Sequence, residues 1–298
     1  MRSLVPWTGL FLLAACSAVP LSRPATLFPA TLPSPTVDLT SLLPSPTPGP
    51  LTESTPPLVL ELPVPIPSPT PALVIAALPP EKLSILLPGP GSQVTSPLQI
   101  VGRGGPSLNQ RVQLRLIDSY GAEINRTTTY FFALPQNAGR FVTLLSFSVE
   151  GVAAAARLEA AMESPHTARL SHLTTVDLVL LGLGSPLIHT GSEGPEKLTI
   201  FEPHEGSRVS GGRVTVRGAG WVNADVPLQV QVIDRQGTIL ASTDVTLEGP
   251  GVGELGTFEV DLVYSVPWSQ FGRIAVIEPG TSIPGMVHYS SIEVYLEP

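Results

Sequence analysis

One cysteine and five histidines are the most reactive side chains in this 298-residue sequence, and neither type falls into a catalytic pattern. The stretch "PHEGSR" begins like the His-Glu-x-x-His helix of a zinc protease. The second histidine would fall at 208, where Arg208 stands, and Gly206 interrupts the motif, so the segment reads as a turn. "GRGGPS", residues 102–107, is rich in glycine but lacks the lysine and the following helix of a phosphate-cradling loop. No Gly-x-Ser-x-Gly elbow occurs, and the carboxylates are too scattered to pair as acid and base. No catalytic residue, cofactor or metal site is assigned, and a hydrolase with an unrecognised site remains the enzymatic alternative.

His172 and His288 each precede an acid by five residues, Asp177 and Glu293. Five residues of strand place two side chains on opposite faces, about 17 Å apart, which defeats metal ligation within one strand. Each histidine therefore reads as a polar residue opening a strand, with a metal ligand or a pH-sensitive contact as the alternative. The aromatic residues offer different chemistry. Trp221 lies in "GAGWVNAD", and Tyr264, Trp268 and Phe271 lie in "YSVPWSQFG", both loop-like. Aromatic rings on loops can stack on a sugar or anchor an interface, so these four form a candidate binding surface. Capping of the core by the same rings is the competing reading.

Cys16 acquires meaning from its surroundings. Residues 1–15 carry one charge, Arg2, followed by a short apolar run and small residues, the order of a secretory signal. That run is too short for a membrane span, which needs roughly 20 apolar residues. The sequence Leu13-Ala14-Ala15-Cys16 resembles the lipobox of bacterial lipoproteins. This resemblance implies cleavage before Cys16, acylation of its thiol and anchoring to a bacterial membrane on the extracytoplasmic side. An ordinary signal peptide containing Cys16, or an uncleaved anchor, is the alternative. Two or three acyl chains hold a protein stably on a bilayer, where one alone is marginal.

From 17 to 80 the chain holds eighteen prolines in sixty-four residues, with "LPSPT" at 32–36 and again at 43–47. Each proline removes a donor and fixes φ, so the tract is expected to run as extended, partly polyproline II chain. At about 3.1 Å per residue its upper reach is on the order of 190 Å, and it reads as a stalk over 16–80, with a tail of no spacer role as the alternative. The formal charge of −8 argues against nucleic acid as a partner, because that affinity rests on many Lys and Arg contacts to phosphate.

Beyond the stalk the sequence repeats. "KLSILLPGPGSQVTSPLQIVG" from Lys82 matches "KLTIFEPHEGSRVSGGRVTVRG" from Lys197, 115 residues later. After a one-residue insertion, "VQLRLIDSYGAEI" falls on "LQVQVIDRQGTIL" and "HLTTVDLVL" on "HYSSIEVYL". Two copies of one domain are therefore predicted, 81–184 and 195–298, joined by a linker at 185–194. Short runs of Val, Ile, Leu and Thr with period-two alternation, separated by Gly, Pro, Asn or Asp, predict an all-β fold: two tandem immunoglobulin-like antiparallel sandwiches. Both "IDSYG" and "IDRQG" read as hairpin turns. Alanines over 149–163 favour helix, but the repeat aligns this segment with "AVIE", so 157–163 is expected to be a strand. The copies differ in charge: eight basic and seven acidic residues in 81–184, net +1, against six and thirteen in 195–298, net −7.

The pattern Ile-x-x-Pro-x-x-Gly-x-x-Val, then a strand closed by Gly, the Asp-x-x-Gly hairpin and a closing "SSIEV", resembles the immunoglobulin-like domain of bacterial spore-germination proteins. Ile200, Pro203, Gly206, Val209, Gly218, Ile233, Asp234, Gly237, Leu240 and Phe258 carry the match. The first copy departs from it near its end, where "PGTSIPG" becomes "SPHTARLS". This resemblance implies a non-catalytic extracytoplasmic module. Together with the lipobox it leads to the expectation of a surface lipoprotein whose two domains recognise a cell-envelope protein or act as structural spacers. Docking on wall polysaccharide through the tryptophans is the alternative.

Overall fold

The period-two alternation of the sequence becomes strands throughout. The structure, a computed structural model, describes residues 78–107, 109–133, 137–164, 169–249 and 251–298, and among these no helix forms. Cys16, the signal segment, the Pro-rich tract up to 77 and His166 lie outside the described residues.

The first copy supplies β1 (Leu83–Leu87), β2 (Gln93–Thr95), β3 (Leu98–Gly104), β4 (Arg111–Asp118), β5 (Glu123–Tyr130), β6 (Gly139–Leu145), β7 (Ala153–Glu163) and β8 (Leu170–Leu181). The second supplies β9 (Leu198–Glu202), β10 (Arg208–Val209), β11 (Arg213–Gly220), β12 (Leu228–Asp234), β13 (Ile239–Val245), β14 (Gly256–Val263), β15 (Gln270–Pro279) and β16 (Met286–Leu296). Each strand thus has its counterpart eight places on.

In β4 the residues Val112, Leu114 and Leu116 turn inward while Gln113 and Arg115 turn out, as a half-buried strand requires. The alanine-rich segment is strand β7, as the repeat alignment predicted. Its ladders to β4 and β8 satisfy the backbone on both sides, and its inward residues Ala156, Leu158, Ala160 and Met162 are buried. Tertiary pairing overrides local helix propensity here. Both expected hairpins form. Asp118 accepts from the N–H groups of Tyr120 and Ala122, Asp234 from that of Thr238, and Gly121 and Gly237 take positive φ.

Each copy buries its own apolar cluster between two layers. A three-stranded sheet β1-β3-β6 packs over Leu114, Leu158 and Leu178 of the first copy, and β14-β11-β9 packs over Val230, Ile274 and Val294 of the second. Fully burying such side chains contributes roughly 1.5–3 kcal/mol each.

The opposing layers of the two copies are one sheet. Its order is β13-β12-β15-β16-β8-β7-β4-β5, joined at the middle by antiparallel pairing of β16 with β8. In that ladder His288 pairs with Thr174, Tyr289 with Leu173 and Ser290 with His172. The C-terminal part of β8 is held instead by its own β2, and that of β16 by β10. A third apolar cluster, Leu173, Ala275, Ile277 and Tyr289, forms across the junction with contributions from both copies. The turns after β7 and β15 each reach onto the other copy. Ser164 bonds Glu293, and Arg157 Nη1 donates to the Ile283 carbonyl at 3.0 Å. All described residues belong to one compact unit, Pro67–Pro298.

Candidate functional site

The junction gathers ionisable residues that are far apart in sequence. Two extended segments cross beside it, with the Glu81 N–H donating to Gly194 O (3.1 Å) and the Glu196 N–H to Pro79 O (2.7 Å). They carry Glu81, Lys82, Glu196 and Lys197 toward His172 and His288 on β8 and β16. His288 Nε2 lies 3.4 Å from Glu196 Oε1, and its Nδ1 lies 3.8 Å from Glu81 Oε1. Glu196 also accepts the Lys82 N–H (2.9 Å). Lys197 Nζ sits 2.5 Å from Glu278, which in turn accepts the Asn223 N–H at 2.9 Å.

Burial governs the charge states in this cluster. It pushes Glu81 up to about 7, against the opposing pull of His288. It pushes His172 down to about 3, so that ring is neutral at physiological pH. Burial also disfavours the Glu196 anion, but the hydrogen bond with His288, the charge interactions with His172 and His288 and the Lys82 N–H together outweigh it and hold the carboxyl below its ordinary value. His172 and His288 are thus polar residues near the start of β8 and β16, as read from the sequence, and both are buried at the junction of the copies. Among the described residues no group of three or more His, Cys, Asp or Glu has metal-binding geometry.

Across the other face of the same sheet, Arg157 is 1 % exposed and grips Asp177 with two bonds, of 2.6 and 3.0 Å. Its counterpart Arg273 bonds Glu293 (2.9 Å) and Ser291 Oγ (3.1 Å). The acid that follows each histidine by five residues is thus the partner of an arginine on the neighbouring strand. The signal was present in the sequence, since Arg157 and Arg273 stand 116 residues apart, the same offset as Asp177 and Glu293.

The four aromatic candidates do not form one surface. Tyr264 is 4 % exposed, and its hydroxyl lies 2.7 Å from the Val209 carbonyl oxygen, to which it donates, and 3.1 Å from that of Glu297. It is a core residue, because its ring closes the second copy's apolar cluster. Trp221 follows the Gly220 end of β11, half-buried, its N–H donating to Lys197 O at 3.2 Å. Tyr264 and Trp268 lie beyond the opposite end, where Arg213 pairs with Val263. Eight residues of strand separate the two ends by roughly 25 Å.

Trp268 and Phe271 do remain on the surface, 63 % and 51 % exposed. Phe271 lies within strand β15 rather than on a loop, directly opposite Tyr295 of β16. The two rings meet edge to face, with centroids 5.4 Å apart and planes at 81°. Arg208 of β10, the partner of Tyr295 on its other side, places its guanidinium 5.3 Å from the tyrosine ring centre. A groove of about 300 Å³ opens here, lined by Phe271, Tyr295, Glu205 and Glu293. Sequence reading missed Tyr295 and Arg208; their signal is the period-two position of Tyr295 two residues after the outward Glu293.

No protein-family model matches the chain, and no curated protein sequence does. Among solved structures, a red sea bream transglutaminase is similar at a TM-score of 0.27 and 12 % identity, over 73 % of this chain and 31 % of that one. A β-glucuronidase of Ruminococcus gnavus is similar at 0.22 and 11 %, over 66 % of this chain and 35 % of that one. The chain thus spans about a third of the length of each, and likenesses this slight do not define a shared fold or activity.

Proposed function

We propose that the chain is a non-catalytic surface lipoprotein, anchored to a bacterial membrane through acylated Cys16. In this reading the Pro-rich tract carries two immunoglobulin-like sandwiches away from the bilayer, where they recognise a cell-envelope protein or set a fixed spacing. One observation supports the fixed spacing: the β8–β16 ladder and the apolar cluster across it join the two copies through a continuous sheet. Flexible tethering would leave two independent modules, whereas a continuous sheet presents both at fixed geometry, which suits a spacer or a two-point recognition surface. The acidic balance of the second copy keeps such a module soluble and away from anionic lipid.

Membrane fractionation with and without Cys16→Ala tests the anchor. Wild-type chain should pellet with membranes and be released by detergent, while the variant should appear in the soluble extracytoplasmic fraction. A variant that still pellets, or wild type retained in the cytoplasm, would refute the reading.

A further inference from the structure

The outer face of β15, β16 and β10 carries a row, Phe271–Tyr295–Arg208, set by the register of three adjacent strands. The first copy provides an internal control. There the same ladder positions hold Ala155 opposite Val179, with Gln93 on its other side. The backbone forms the same three-strand arrangement with small side chains, so the fold does not require the aromatic pair or the guanidinium. Phe271 remains half exposed, and burying its ring in water-free surroundings would release apolar area that folding leaves wet.

The charges around the row decide what kind of ligand fits. Lys82 lies 3.6 Å from Glu205, Arg273 2.9 Å from Glu293, and Arg208 2.8 Å from Glu297. Three cations and three carboxylates balance, so neither a strongly anionic nor a strongly cationic ligand is favoured. What remains is an apolar ring surface beside the exposed Glu205 carboxylate, which has spare lone pairs, and the exposed Arg208 guanidinium, which has spare donors, while Arg273 and Glu293 are engaged with each other beneath. A neutral pyranose matches this: its C–H face packs on an aromatic ring, and its hydroxyls both donate and accept. The groove, at about 300 Å³, sits at the lower end of the roughly 300–1,000 Å³ typical of ligand sites, room for one or two sugar rings.

We propose that the Phe271–Tyr295–Arg208 face, with Glu205 at its rim, is a binding site for a neutral oligosaccharide. This goes beyond the envelope reading above and does not depend on the anchor.

The test is titration of the purified full chain with cellotetraose and with N-acetylchitotetraose, followed by calorimetry or by NMR. Saturable binding of either is expected. Replacing the row by its first-copy counterparts, Phe271→Ala, Tyr295→Val and Arg208→Gln together, should weaken binding roughly tenfold or more, about 1.4 kcal/mol, with the melting temperature as the folding control. Should the triple variant fail to fold, Phe271→Ala and Glu205→Gln serve instead, since both side chains are solvent-exposed and each should weaken binding at unchanged melting temperature. No saturable binding of either tetrasaccharide, or equal affinity in the folded variants, overturns the proposal. Binding by a chain whose Cys16 proves unmodified would leave it standing while removing the lipoprotein reading.

Discussion

Leu173 and Tyr289 face each other across the β8–β16 ladder, and they are the same position in successive copies, 116 residues apart. The crossing of Pro80 with Pro195 is likewise a meeting of equivalent positions, 115 apart. The two copies are thus related by an internal two-fold that passes through both pairs, the geometry of a symmetric dimer within one chain. Pairing in this way removes two strand edges that would otherwise stay open.

The junction should therefore melt with the copies rather than before them. Tyr289 is buried in the cluster shared by both, and Tyr289→Ala is expected to cost on the order of 3–5 kcal/mol, as for other large aromatic truncations. Calorimetry of the wild type should give one transition. Two well-separated wild-type transitions would show that the shared sheet does not couple the copies.

The two buried arginines make an ordered comparison. Arg273 and Glu293 are both nearly inaccessible, with side chains 5 % and 13 % exposed, whereas the Asp177 that partners Arg157 is 51 % exposed. Removing Arg273 leaves a buried carboxylate without its ion pair, which typically costs about 3–5 kcal/mol. Removing Arg157 leaves an acid that water can reach. Arg273→Ala should therefore unfold at lower urea than Arg157→Ala, and the double variant Arg273→Met with Glu293→Leu should recover most of the loss.

Gly218 lies opposite Phe258 on the neighbouring strand, as Gly102 lies opposite Phe141 in the first copy. A Cβ at 218 would stand 2.3 Å from both the Phe258 ring and the Thr199 carbonyl oxygen. The carbonyl belongs to the backbone and cannot step aside. Gly218→Ala should destabilise by about 1–3 kcal/mol through overpacking, read as a lower urea midpoint, and Gly102→Ala should behave alike, since Ser84 O and the Phe141 ring crowd it in the same way.

Much of this was legible in the sequence because it is local or repeated. The Asp-x-x-Gly hairpins, the glycine that closes β3 and β11, and the strand character of β7 all follow from a period that a single chain displays. The joining of the copies was not legible, since β8 and β16 look like ordinary final strands until one sees that neither is an edge. For the same reason the burial of His172 and His288 could not be read from their place near the start of a strand, and Phe271 read as loop because Gly272 and the preceding "VPWS" mask its alternation with Arg273. Its partner Tyr295 belongs to a different strand, and only register unites them.

The junction cluster carries two opposed titrations. Glu81 moves from 4.5 to about 7 on folding, so between those values the native state holds a proton that the unfolded chain has lost, and stability falls as pH rises. His172 moves from 6.5 to about 3, so between those values the unfolded chain holds the extra proton, and stability falls as pH drops. Over the shared window, 4.5 to 6.5, the two slopes oppose and stability should be nearly flat, with losses on the acid side where His172 acts alone. Glu196, held low, adds to the acid-side loss. Glu81→Gln removes one arm and should turn the flat window into a rise with pH; His172→Asn removes the other and should turn it into a fall. Urea midpoints from pH 4 to 8 check this, and parallel profiles for wild type and both variants would mean that neither group titrates as the junction requires.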